Sequence, residues 1–147
     1  MVTLLSFLRR FTQFNSFIIF LLTLSVTSVW ADAATKVACV GDSITWGWRL
    51  ANPDQDAYPA RLGVLLGAEW EVRNFGVSNS TLLSNGSFPY IQQPAYQAAL
   101  AYKADVIIIA LGTNDTHPVN FASHPDEFEP DYNALIAKFR EANPNAK

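Results

Sequence analysis

Three short apolar runs recur along the chain, and longer stretches with helical spacing lie between them. Lys36 to Val40 is the first run and Glu71 to Phe75, weakly alternating, is the second. The third, Asp105 to Leu111, carries an unbroken Val-Ile-Ile-Ile-Ala-Leu. A β-branched run without polar alternation predicts a strand covered on both faces, as in parallel sheets. Tyr58 to Leu66 predicts a helix with Leu62, Leu65 and Leu66 on one side. Gln93 to Lys103 predicts a second, alanine-rich helix. Asp131 is expected to N-cap a third, which turns Leu135, Ile136 and Phe139 inward. Strand alternating with helix predicts a doubly wound α/β sheet with right-handed crossovers.

Each strand is followed by a polar turn that contains glycine. The turns are Gly41-Asp42-Ser43, Asn74-Phe75-Gly76-Val77-Ser78 and Gly112-Thr113-Asn114-Asp115. Sites in such sheets form beyond the carboxyl ends of the strands, where the strand order reverses. A strand order of 2-1-3 would make the three turns neighbours.

The N-terminus reads differently. Arg9 and Arg10 precede the apolar Phe17 to Leu22, and small residues follow at Ala31, Ala33 and Ala34. A basic region, a short apolar core and an A-x-A-like site describe a secretory signal peptide over residues 1–31, cut after Ala31 or after Ala33. The alternative is a membrane anchor. Thr23, Ser25, Thr27 and Ser28 interrupt the stretch, which is short against the roughly 20 residues of a span. The expected location is therefore secreted or periplasmic. From Asp32 onward eight Lys and Arg face thirteen Asp and Glu, a formal charge of −5. That balance offers no basic footprint for nucleic acid and none for an anionic membrane surface after cleavage. Cys39 is the lone cysteine and reads as a buried thiol acting as a small hydrophobe.

The three turns carry groups suited to acyl transfer, which needs a nucleophile, a base and donors for a developing oxyanion. Ser43 offers a hydroxyl and its own N–H at a strand-to-helix turn. Gly76, without a side chain, offers a close backbone N–H. Asn114 offers a side-chain NH₂ with no proton equilibrium. Asp42 and Asp115 read as structural carboxylates that accept backbone N–H bonds.

Gly41-Asp42-Ser43-Ile44-Thr45, Asn74-Phe75-Gly76 and Gly112-Thr113-Asn114-Asp115 together resemble the first three sequence blocks of the SGNH hydrolases, the GDSL-type esterase superfamily. The order and approximate spacing match over about residues 35 to 143. The resemblance implies a flavodoxin-like three-layer α/β/α sandwich, with Ser43 as nucleophile and Gly76 and Asn114 completing the oxyanion hole. It implies no metal or organic cofactor, and a small-molecule or saccharide ester as substrate.

The family's fourth block, an Asp-x-x-His supplying the base, has no counterpart here. His117 is preceded at that spacing by Asn114 and His124 by Phe121, and both lie too early in the chain. His117 could line the site, or could be an ordinary loop histidine. A zinc site has too few ligands of clear spacing. The helix after Asp131 runs into the stop signal Asn143-Pro144-Asn145, and an apolar third strand would stand at a sheet edge. The expectation is that residues 35–147 form the N-terminal part of a longer esterase domain. Serine hydrolases of other folds lose on the order of 10⁶-fold in rate without their histidine, so this chain alone is expected to be nearly inactive.

The expected function is hydrolysis of O-acyl esters, most simply acetyl esters on carbohydrate, with Trp46, Trp48, Tyr58 and Tyr90 near the motifs. These aromatics either stack on sugar rings or, for Trp46 and Trp48, pack the first helix on the sheet. A lipase fits less well without a long apolar lid. The alternative is a non-catalytic binding module on the same fold. A nucleotide-binding flavodoxin-like protein lacks both Gly-x-Gly-x-x-Gly and a P-loop.

Overall fold

The computed structural model describes residues 33–147; the expected signal segment lies outside them. Three parallel strands form one sheet in the order β2-β1-β3: β1 (Thr35–Gly41), β2 (Trp70–Gly76) and β3 (Val106–Ala110). The three predicted strands lie within a residue or so of these bounds, and the 2-1-3 order is the expected one. Gly41 is in register with Gly76 on one side and Ala110 on the other. All three strands therefore end at one level, and the turns that follow share one edge.

Among the described residues six α-helices accompany the strands. They are α1 (Ser43–Trp46), α2 (Pro53–Asp56), α3 (Tyr58–Leu66), α4 (Pro94–Tyr102), α5 (Pro118–Phe121) and α6 (Phe128–Ala142). The central strand is buried from Val37 to Gly41, with alternate residues facing opposite layers. On one side Val40 joins Tyr90, Tyr96 and Ala99, and from α6 Leu135 and Phe139. Val40, Leu135 and Phe139 each contribute about 1.5–3 kcal/mol when withdrawn from water. On the other side α3 packs on β2, where Gly63 lies over Val72.

Three details depart from the sequence reading. Leu65 is 83% exposed and Val64 75%, because α3 meets the sheet through Pro59, Leu62 and Gly63. Asp131 does not cap its helix: α6 starts at Phe128, and the Asp131 carboxylate instead accepts from Ser84 N–H at 2.6 Å. β3 is half-buried along Val106 to Ile109, as an edge strand is. Among the described residues its outer side receives only Lys147, which donates its N–H to Asp105 O (3.0 Å) and accepts from Ile107 N–H (2.9 Å). These two bonds have the alternation of a parallel ladder. A groove of about 200 Å³ runs beside this edge, lined by Ile107, Ile109, Ile136 and Phe139.

Candidate active site

Ser43 is the first residue of α1, two positions beyond the end of β1, and is partly exposed. Asp42 precedes it as N-cap and accepts from Ile44 N–H at 2.9 Å. Gly41 is obligatory for this turn. A Cβ there would sit 2.0 Å from Thr45 Oγ1 and 2.8 Å from Ala110 O. Thr45 is thus buried over the end of β1, and α1 lies close against the sheet edge.

The second loop is tied to the first. Asn74 donates its Nδ2 to Thr45 O at 2.8 Å, and Val77 N–H donates to Gly41 O at 2.9 Å. Gly76 was expected to offer its N–H to the oxyanion. Its N–H already donates to Asn74 Oδ1 at 2.9 Å. A Cβ on Gly76 would lie 2.3 Å from Trp46 N. Gly76 is therefore a close-approach glycine under α1, and its N–H is engaged inside the turn.

Asn79, three residues further on, was not singled out from sequence. Its φ is +68°, a left-handed conformation uncommon outside glycine. It lines a cavity of about 350 Å³ together with Asn114, His117 and Asn120. Among the described residues its N–H has no hydrogen-bond acceptor. The asparagine itself was the available signal, since Asn tolerates that conformation better than other residues with a Cβ.

The third loop is held to the second by three side chains. Asn114 donates its Nδ2 to Ser80 O at 2.9 Å, which fixes the orientation of its amide. Asp115 is 1% exposed and accepts from Leu82 N–H (2.9 Å) and Leu83 N–H (2.8 Å). Asn120 accepts from Ser87 N–H at 2.7 Å and donates to Asn114 O at 2.8 Å. The two motif aspartates therefore serve backbone N–H groups, as read from the sequence.

The aromatic residues divide. Trp46 and Trp48 are 46% and 57% exposed, so neither is packed away between α1 and the sheet. Tyr90 is fully buried and donates to Phe75 O at 2.8 Å, so no sugar ring can stack on it. Burial pushes the Tyr58 hydroxyl up to about 12, and it lies 3.5 Å from Thr45 Oγ1. Burial likewise raises the Cys39 thiol, consistent with an inert core residue. His117 accepts from Val119 N–H at 3.4 Å, and His124 pairs with Glu127 at 3.0 Å. Among the described residues no three His, Cys, Asp or Glu side chains gather as metal ligands.

Residues 39–147 match the model of the GDSL-like lipase/acylhydrolase family. The chain belongs to that family. It is 44% identical over 109 residues to an acetylxylan esterase of Xylanibacter ruminicola, a match that covers 74% of this chain and 22% of that protein. Among solved structures, the native M. smegmatis aryl esterase superposes with a TM-score of 0.57 at 29% identity, over 71% of this chain and 54% of that one. Est24, a carbohydrate acetylesterase from Sinorhizobium meliloti, superposes with a TM-score of 0.58 at 28% identity over the same shares. The chain thus spans about a fifth of the acetylxylan esterase and about half of the two solved esterases.

Proposed function

We propose that the protein is the N-terminal part of an exported serine esterase that hydrolyses O-acyl, chiefly acetyl, esters on carbohydrate. Ser43 attacks the ester carbonyl. Its own N–H, the Asn114 amide and the Asn79 N–H donate to the oxyanion. Asn79 replaces Gly76 in this reading, because the Gly76 N–H is bonded to Asn74. The observation that carries the reading is the amide of Asn114. One of its N–H groups is spent on Ser80 O, which leaves the other free, in a loop that is bonded to the second loop and follows the strand paired with the end of β1 at Gly41. A donor held in place before reaction begins is worth roughly 3–4 kcal/mol of transition-state stabilisation.

The acetyl and carbohydrate components draw on the names of the relatives and on the exposed Trp46 and Trp48. Export draws on the order of Arg9-Arg10, apolar run and small residues. The base is assigned to an Asp-x-x-His segment outside residues 35–147.

The test is hydrolysis of an activated acetyl ester by the chain joined to such a segment. The expected result is turnover that Ser43→Ala abolishes, since no acyl-enzyme forms. Turnover that survives Ser43→Ala would refute the nucleophile. Binding of an acetylated saccharide without turnover by the joined protein would replace the esterase with a binding module.

A further inference from the structure

Gly47 to Leu50, directly after α1, leave the helix in an unusual way. Gly47 and Arg49 both have positive φ, +95° and +67°. Arg49 is a residue with a Cβ in that region, so the chain accepts backbone strain to turn here. Trp48 N–H donates to Ser43 O at 2.9 Å, which anchors the turn to the nucleophile's own carbonyl. The Arg49 guanidinium then lies over the Trp48 ring, 4.2 Å from its centroid. Trp48 nevertheless remains 57% exposed.

Arg49 is electrostatically isolated. Among the described residues the ion pairs are Arg73–Glu71, Lys138–Glu141 and His124–Glu127, and none involves Arg49. The exposed Asp54 and Asp56 on α2 do not pair with it. Across the three segments that follow the strands, residues 41–57, 77–93 and 111–127, Arg49 is the lone Lys or Arg. An otherwise acidic chain therefore presents a single unpaired guanidinium at the turn beside Ser43. Stacking on Trp48 pre-orders that fork of donors, and a planar fork matches a carboxylate with two parallel bonds.

We propose that Arg49, held on Trp48, recognises a carboxylate on the alcohol portion of the ester, so that the preferred substrate is an acylated acidic saccharide bearing uronate groups. This rests on the esterase reading of the Ser43 site. A charge-assisted bidentate contact at an exposed site gives a preference of about two- to fivefold for the acidic ligand at low ionic strength. The preference fades as salt screens it.

The experiment measures binding rather than turnover, so it is separate from the test of the esterase. Trigalacturonate and its carboxyl-reduced, neutral counterpart are titrated into the full chain, with quenching of tryptophan fluorescence as readout. The expected result is tighter binding of trigalacturonate by about two- to fivefold, levelled by Arg49→Gln and partly kept by Arg49→Lys. Equal affinity for the two sugars, binding of neither, or a preference that survives Arg49→Gln would overturn the proposal. Failure of acetyl-ester hydrolysis would instead strike the esterase reading and leave this comparison intact.

Discussion

The side-chain amide of Asn114 donates to the carbonyl of Ser80 at 2.9 Å, across 34 residues of sequence. That bond consumes one N–H of the amide and aims the other. A donor fixed in this way strengthens its bond as charge develops on the carbonyl oxygen, and gives little to the ground state. Asn114→Ala is therefore expected to lower kcat by roughly 10²–10³-fold with KM nearly unchanged. Steady-state kinetics on an active form carrying the family's histidine segment checks it. A change confined to KM would show that Asn114 holds substrate rather than the oxyanion.

Gly76→Ala separates two roles that sequence alone leaves merged. The substitution keeps the backbone N–H, so a residue acting only through that donor would tolerate it. The structure places the new Cβ 2.3 Å from Trp46 N and 2.8 Å from Thr45 C, both backbone atoms. Backbone cannot rotate away, so α1 must shift and carry Ser43 with it. The expected outcome is a loss of about 2 kcal/mol in denaturant unfolding, as for other overpacked sites, together with reduced turnover of an active form. Unchanged stability would show that α1 does not lie as close to β2 as described.

The contrast at Gly76 shows what was legible in this sequence. The strands, α3 and the 2-1-3 order follow from local apolar pattern and from the parallel topology, and the structure has them where they were read. Roles that depend on distant partners were not legible. Asp131 has the right residue type for an N-cap, but its carboxylate goes to Ser84, 47 residues away. Leu65 has the right hydrophobicity for a core face, yet the helix meets the sheet along another line. Gly76 and Asn79 sit in one loop, and which N–H is free depends on the Asn74 side chain. Pattern fixes which residues share an edge; hydrogen-bond partners decide which of them are available for chemistry.

Asp115 is a stability determinant rather than a reactant. Its two oxygens satisfy the N–H groups of Leu82 and Leu83, all three residues being buried. Asp115→Ala leaves both donors unsatisfied in the interior, a cost of about 3 kcal/mol or more. Asp115→Asn keeps one acceptor oxygen and is expected to cost less. Urea unfolding of the two variants checks the order. Equal losses would mean that the charge matters and the donor count does not.

Alkaline pH is expected to destabilise the fold. Burial pushes Tyr58 up to about 12 from 10.0, and burial, followed by the nearby Glu71 charge, does the same for Tyr102. Above the ordinary tyrosine value the unfolded chain releases protons that the folded chain retains. Stability is then complete below about pH 10 and falls as pH rises toward 12. Urea midpoints measured upward from about pH 8 should stay level and then decline, and Tyr58→Phe should flatten part of the decline. A midpoint rising through that window would reverse the sign of the argument.

His117 is the histidine that tests where the base resides. It lines the same cavity as Asn114, and its N–H donates to Asn114 O at 3.3 Å. Its Nδ1 accepts from Val119 N–H at 3.4 Å, a weak cap on α5. Among the described residues no hydrogen bond joins it to Ser43, and no carboxylate orients its ring, whereas a catalytic base needs both geometry and an orienting partner. His117→Ala is therefore expected to cost a few tenths of a kcal/mol in stability, as a weak cap does, and to leave kcat of an active form within about threefold. The comparison is with Ser43→Ala under the same assay. Equal loss of turnover in the two variants would place the base at His117, within residues 35–147, and would remove the need for an Asp-x-x-His beyond them.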